Sequence, residues 1–242
     1  MELQRNKVRS EQSGDSAFIY LNNPPFNVID VEVLQDLITL ISETELSDGI
    51  RKVVVRSKIR GIFSVGFDIS CILIRLKDRM EEIFSLARTV WNLITSSQKI
   101  YIAEVDGLCL GLAYELIYSF DSVSFGKNAM LGFPDIKFGM PFLTGVPWER
   151  IPDEGISHML SGEITSARNL HFFSSPSLAE ENTDSRNYFY ALSFYKKSRR
   201  RANNPIDNLI SSSYDLGAID LKGLERFREI TVASLNVPLN TD

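Results

Sequence analysis

Between two strand-like runs, Lys52 to Arg56 and Ile100 to Val105, a stretch from about Asp78 to Ser97 places Ile83, Leu86, Ala87, Val90, Trp91 and Ile94 on one helical stripe. The same alternation occurs earlier in the chain. Ala17 to Leu21 reads as a strand closed by Asn22-Asn23-Pro24-Pro25, which cannot continue a central strand. Leu34, Leu37, Ile38 and Ile41 then recur at helical spacing, and Ser47-Asp48-Gly49 ends that element. A glycine-flanked segment, Gly61 to Gly66, precedes the long stripe. After it come a turn at Asp106-Gly107, a helix entered through a glycine from Gly111 to Ser119, and a strand from Ser122 to Phe125. The first half therefore reads as β, β and α units in series.

Beyond Pro134 the glycines and prolines thicken (Gly139, Pro141, Gly145, Pro147, Pro152), which predicts a long loop ahead of an all-helical C-terminal third. Glu180 to Arg186 reads as a polar connection. Helices predicted at about Asn187 to Asn203 and Leu221 to Ala233 carry few apolar anchors and call for a partner surface. No internal repeat is visible.

A chain of 242 residues with 44% hydrophobic and 24% charged content can bury one large core. Its net charge of -5 argues against nucleic acid as a partner, because phosphate backbones demand a concentrated positive footprint. Met1 to Gln12 is polar, without the apolar stretch of a secretory leader, and no run reaches the roughly 20 apolar residues that span a bilayer, so no membrane partner is expected. Two cysteines, Cys71 and Cys109, without C-x-x-C spacing suit a reducing, cytoplasmic setting. With only His158 and His171, a His-rich metal site is excluded. P-loop, G-x-S-x-G, H-E-x-x-H and dinucleotide-binding fingerprints are missing. Chemistry must rest on carboxylates or backbone dipoles.

Four segments, in this order and spacing, resemble the crotonase (enoyl-CoA hydratase/isomerase) family: LNNPPFNV at Leu21 to Val28, FSVGFDI at Phe63 to Ile69, AEVDGLCLGLAYEL at Ala103 to Leu116, and GFPDIKFGMP at Gly132 to Pro141. The resemblance covers roughly Ala17 to Arg168. It implies an α/β fold of the ClpP/crotonase type: a spiral of ββα units, with a core domain over 1–185 carrying an acyl-CoA site. A helical C-terminal region over 186–242 would serve trimerisation. The partners implied are an acyl-CoA substrate and further copies of the chain, as a homotrimer or dimer of trimers. No cofactor is implied beyond the coenzyme A thioester that is itself the substrate.

The resemblance also assigns residues. Backbone N–H groups of Phe67 and Leu112 fall where the family stabilises the thioester enolate, and removing one such donor typically costs about 3 kcal/mol of transition-state stabilisation. Leu112 lies in the first turn of its helix, where N–H groups lack intrahelical partners. Glu115 and Asp135, twenty residues apart, occupy the positions of the two hydratase carboxylates, one activating water and the other delivering a proton to the α-carbon. Val28, Val65, Gly66, Asp68, Ile69, Gly111 and Pro134 fall at positions that line the CoA and acyl groups. This chain departs from the family at three points. Gly111-Leu112-Ala113 replaces a run of glycines, Asp135 is one methylene shorter than the usual glutamate, and Gly139-Met140-Pro141-Phe142 replaces a longer glycine-rich turn.

Hydration, isomerisation with Asp135 as the single proton carrier, thioester hydrolysis and decarboxylation all remain open at this level, as does a non-catalytic acyl-CoA-binding or assembly role. Taken without the family, Glu115 is an acid near a helix start and Asp135 a turn residue after a proline. The run Lys196-Lys197-Ser198-Arg199-Arg200-Arg201 reads as a solvated helical face or a contact for CoA phosphates. His158, His171, Cys71 and Cys109 read as packing or surface residues.

Overall fold

The computed structural model describes residues 7–68, 76–138, 140, 142–144, 151–171 and 189–193. Two sheets organise them. The larger contains β1 (Val8–Ser13), β2 (Ser16–Leu21), β3 (Lys52–Ser57), β5 (Ile100–Val105), β7 (Ser122–Phe125) and β10 (Phe189–Ser193), in that spatial order. The smaller runs β4 (Ile62–Ser64), β6 (Leu108–Leu110), β8 (Met130–Gly132) and β9 (Ile164–Ser166). Neighbours from β2 through β7 are parallel, as are β4, β6 and β8, while β1, β9 and β10 pair antiparallel at the edges.

Consecutive strands thus divide between the sheets. β3, β5 and β7 enter the large sheet, and their successors β4, β6 and β8 enter the small one. After each pair the chain turns into a helical segment: α2 (Leu76–Ser96) after β4, α3 (Leu112–Leu116) after β6, and a 3-10 turn (Pro134–Phe138) after β8. The first turn follows the same plan with less regularity. β2 leads to a lone parallel bridge between Ile29 and Phe67, and then to α1 (Val31–Leu46). The expected spiral of ββα units is what the chain forms.

Asp30 caps α1 by accepting from the Val33 N–H at 2.8 Å, satisfying one of the donors a helix start leaves without partners. The helix buries Val33, Leu34, Leu37 and Ile41. α2 buries Ile83, Ala87, Val90, Trp91 and Ile94, with Leu86 partly buried beside them. Both stripes join one core with the inward side chains of the large sheet. Each fully buried side chain of the size of Ile41 or Leu34 contributes about 1.5–3 kcal/mol.

The long loop expected beyond Pro134 and the all-helical third after it are corrected in several places. Pro134–Phe138 forms a 3-10 turn, Asp153–Ser161 forms a helix (α4), and Ile164–Ser166 is strand β9. The helix expected over 187–203 fails at Phe189–Ser193, a strand antiparallel to β7. A run that contains Phe and Tyr has the propensity of a pleated edge strand. The helix expected over 221–233, the polar connection at 180–186, the basic run at 196–201 and Cys71 lie outside the described residues, so the division at 185/186 is not addressed by them.

Candidate active site

The four resembling segments converge because each occupies the same station in the spiral, the junction between second strand and helix. Val28 precedes the Ile29 bridge, Gly66 to Asp68 follow β4, Gly111 and Leu112 join β6 to α3, and Pro134 and Asp135 follow β8. Ladder hydrogen bonds join the stations. Ile29 N–H donates to Gly66 O at 2.8 Å, Asp68 N–H to Ile29 O at 3.1 Å, and Gly111 N–H to Gly132 O at 3.0 Å.

With Gly66 O and Asp68 N both turned toward Ile29, the alternation of a strand turns the Phe67 N–H to the opposite side, the side on which β6 pairs with β4. The crossing there is tight. A Cβ on Gly66 would stand 2.5 Å from Leu110 O and 3.0 Å from Leu112 N, so only glycine lets the two backbones meet. Gly66 also has a φ of +88°, open to glycine and costly for other residues.

Side chains from the first segment hold this junction in place. Asn27 is buried in a left-handed conformation, φ 49°. Its amide donates to Ser57 Oγ at 2.7 Å and to Phe63 O at 3.1 Å. Its carbonyl oxygen accepts from Asn23 N–H at 2.7 Å. Ser64 Oγ donates to Asn27 O at 2.6 Å and accepts from Gly66 N–H at 3.0 Å. Val65 N–H donates to Phe26 O at 3.2 Å. Val65 packs with Ile62, Leu108 and Leu110 in a small second apolar cluster, against which the partly exposed Val28 rests.

Both candidate carboxylates are buried, Glu115 completely and Asp135 at 4% exposure. Asp135 lies over Gly111, where a Cβ would stand 2.1 Å from its Oδ2. Glu115 is held from the far side by the loop after Phe138. Its Oε1 accepts from Leu143 N–H at 3.0 Å, and its Oε2 accepts from Thr144 N–H at 2.9 Å and Thr144 Oγ–H at 2.8 Å. Burial pushes the Glu115 carboxyl up to about 8; the three donors oppose this and the nearby Asp135 charge adds to it.

Leu112 and Phe142, which lie in the two segments where the resemblance led to an expectation of glycine-rich backbone, are both buried in the main core, and the Phe142 ring stacks on Phe133 with centroids 4.5 Å apart. Phe67 and Pro134 are buried, Asp68 is partly exposed, and Ile69 lies outside the described residues.

Two features have no local signal in the sequence. The Leu143-Thr144 clasp on Glu115 spans 28 and 29 residues and depends on the turn at Pro134–Phe138. His158, read as packing, joins a buried chain: Tyr118 Oη donates to Tyr114 Oη at 3.3 Å, and Tyr114 Oη is hydrogen-bonded to His158 Nδ1 at 3.0 Å. This chain ties α3 to α4, and burial holds the His158 imidazole below its usual value. Cys109 is buried and His171 exposed, as read. Among the described residues no group of three or more His, Cys, Asp or Glu could hold a metal ion, and no helix is long and apolar enough to cross a membrane.

Known proteins are similar to this chain in fold and in sequence. A crystal structure of enoyl-CoA hydratase from Thermoplasma volcanium superposes with a TM-score of 0.63 at 26% identity, covering 68% of each chain. The peroxisomal fatty acid beta-oxidation multifunctional protein MFP2 of Arabidopsis thaliana is 31% identical over 182 residues, 73% of this chain and 24% of its own length. A probable enoyl-CoA hydratase of Bacillus subtilis is 25% identical over 138 residues, 56% of this chain and 52% of its own. The chain thus spans a quarter to a half of these curated relatives. Residues 11–159 match the family described as enoyl-CoA hydratase/isomerase. With its spiral of ββα turns and the junctions that converge on Gly66, Gly111 and the two carboxylates, the chain belongs to the enoyl-CoA hydratase/isomerase family, the crotonases.

Proposed function

We propose that the protein is an enoyl-CoA hydratase that adds water across the conjugated double bond of an acyl-CoA thioester. The N–H groups of Phe67 and Leu112 donate to the thioester oxygen as the enolate forms. Asp135 takes a proton from the attacking water, and Glu115 delivers one to the α-carbon. The observation that carries this reading is that two buried carboxylates stand at neighbouring junctions, Glu115 on α3 and Asp135 lying directly over Gly111 at the entrance of that helix. Burial, with a smaller contribution from the Asp135 charge, keeps the proton on Glu115 near neutrality, which supplies an acid beside a second carboxylate.

The test is loss of the ultraviolet band of the conjugated thioester when crotonyl-CoA meets the protein, with Glu115→Gln and Asp135→Asn run alongside. Loss of the band with the native chain, and its abolition by either substitution, is the expected result. CoA binding without turnover would instead favour a non-catalytic acyl-CoA-binding role, a reading that the complete burial of Glu115 and its clasp by Leu143 and Thr144 also suits. Turnover of a 3-enoyl-CoA that survives Glu115→Gln but not Asp135→Asn would mark an isomerase with a single proton carrier.

A further inference from the structure

The hydrogen bonds around Glu115 are distributed unevenly over its two oxygens. A carboxylate oxygen offers about two lone-pair positions. Oε2 receives both the N–H and the hydroxyl of Thr144, at 2.9 and 2.8 Å, and is full. Among the described residues Oε1 receives only Leu143 N–H at 3.0 Å, which leaves one position. The clasp is itself anchored, because Phe142 stacks on Phe133 and both rings are buried. Among the described residues, the charge acting on Glu115 is that of Asp135.

We propose that Thr144 is a positioning residue: by filling Oε2 it confines the Glu115 proton to Oε1, so that one oxygen of this carboxyl does the proton transfer. The inference rests on the acid role given to Glu115 above. The Leu143 and Thr144 N–H groups are supplied by any side chain at those positions, but the hydroxyl is specific to position 144. Without it Oε2 regains a lone-pair position, and the proton is shared between two oxygens that face different directions. The same hydroxyl favours the ionised carboxylate, so its removal also makes Glu115 harder to ionise.

Thr144→Val removes the hydroxyl at nearly constant volume, and Thr144→Ser restores it without the methyl. Carboxyl-13C glutamate labelling, with Glu115→Gln to assign the signal, reads the Glu115 titration directly. The expected result is a titration midpoint about one pH unit higher in Thr144→Val, with Thr144→Ser close to the native chain. For crotonyl-CoA hydration, kcat should fall about tenfold with KM within twofold, and the basic limb of the pH profile should move by the same unit. Should the valine chain fail to fold, Thr144→Ala makes the same deletion with a smaller side chain. An unshifted Glu115 midpoint, or a serine variant that behaves like the valine one, overturns the proposal. A native chain that binds but does not turn over crotonyl-CoA overturns the hydratase reading, while the labelled titration still decides whether Thr144 governs the Glu115 proton.

Discussion

Gly111 and Asp135 are packed so closely that a single methyl group separates the native site from a displaced one: a Cβ on Gly111 would lie 2.1 Å from Asp135 Oδ2. The obstacle is the end of a side chain, which can swing away. Gly111→Ala should therefore fold, at a cost of about 3 kcal/mol for an L residue at φ +54° and ψ −126°, a region that belongs almost entirely to glycine, but with its Asp135 carboxylate moved off the α3 entrance. Hydration of crotonyl-CoA should fall at least tenfold while the melting temperature drops. Full activity in a folded alanine variant would show that Asp135 does not act from this position.

Gly66 presents the opposite case, because its neighbours are backbone. A Cβ there would meet Leu110 O at 2.5 Å and Leu112 N at 3.0 Å, and the strand-to-helix junctions of two spiral turns would have to part. Overpacking and the cost of φ +88° together put the loss for Gly66→Ala at about 3 kcal/mol or more. Urea unfolding measures it directly. A loss below about 1 kcal/mol would mean that the junction yields and that the two backbones can part without cost to the fold.

What the sequence showed of this architecture depended on element length. α1, α2, β3, β5 and β7 carry enough residues for their period to be seen, and each lies within a few residues of where spacing placed it. β4, β6 and β8 are three residues long and, but for the partly exposed Met130, buried, so no alternation marks them and only the flanking glycines point to their turns. β1 was hidden for another reason: past Val8 its side chains face solvent, and a polar edge strand has the composition of a loop. Glu115 and Asp135 were reached through motif resemblance, since neither differs locally from an ordinary helix or turn acid. The clasp from Leu143 and Thr144 is a contact between distant segments, and spacing within one segment carries no record of it.

Asn27 joins the first junction to the second, and its amide is a sharper probe than its volume. Asn27→Asp keeps the acceptor facing Asn23 N–H but turns the donor end into an oxygen facing Phe63 O, 3.1 Å away in the native chain. Two buried acceptors would then oppose each other, at a cost of about 2–4 kcal/mol. Chemical denaturation of the aspartate variant should show this loss at pH 7 and a smaller one near pH 4, where the new carboxyl can hold a proton and donate it. A loss that does not depend on pH would place the damage in shape and not in the hydrogen bond.

Glu115 should also leave its mark on the pH dependence of stability. Its carboxyl titrates at about 8 in the folded chain against a reference value of 4.5. Between those values the folded state holds a proton that the unfolded state has released. Stability from this group is therefore fully present below pH 4.5 and is lost as pH rises toward 8, by an amount on the order of a few kcal/mol. Glu115→Gln cannot titrate, so its stability should lack this descent. The amide also places donors against Thr144, so the variant starts from a lower value. Urea midpoints at intervals from pH 5 to 8.5 compare the two chains, and the difference between them should narrow steadily with rising pH. A constant difference would mean that Glu115 is already ionised in the folded chain at neutral pH, which would remove it as the acid.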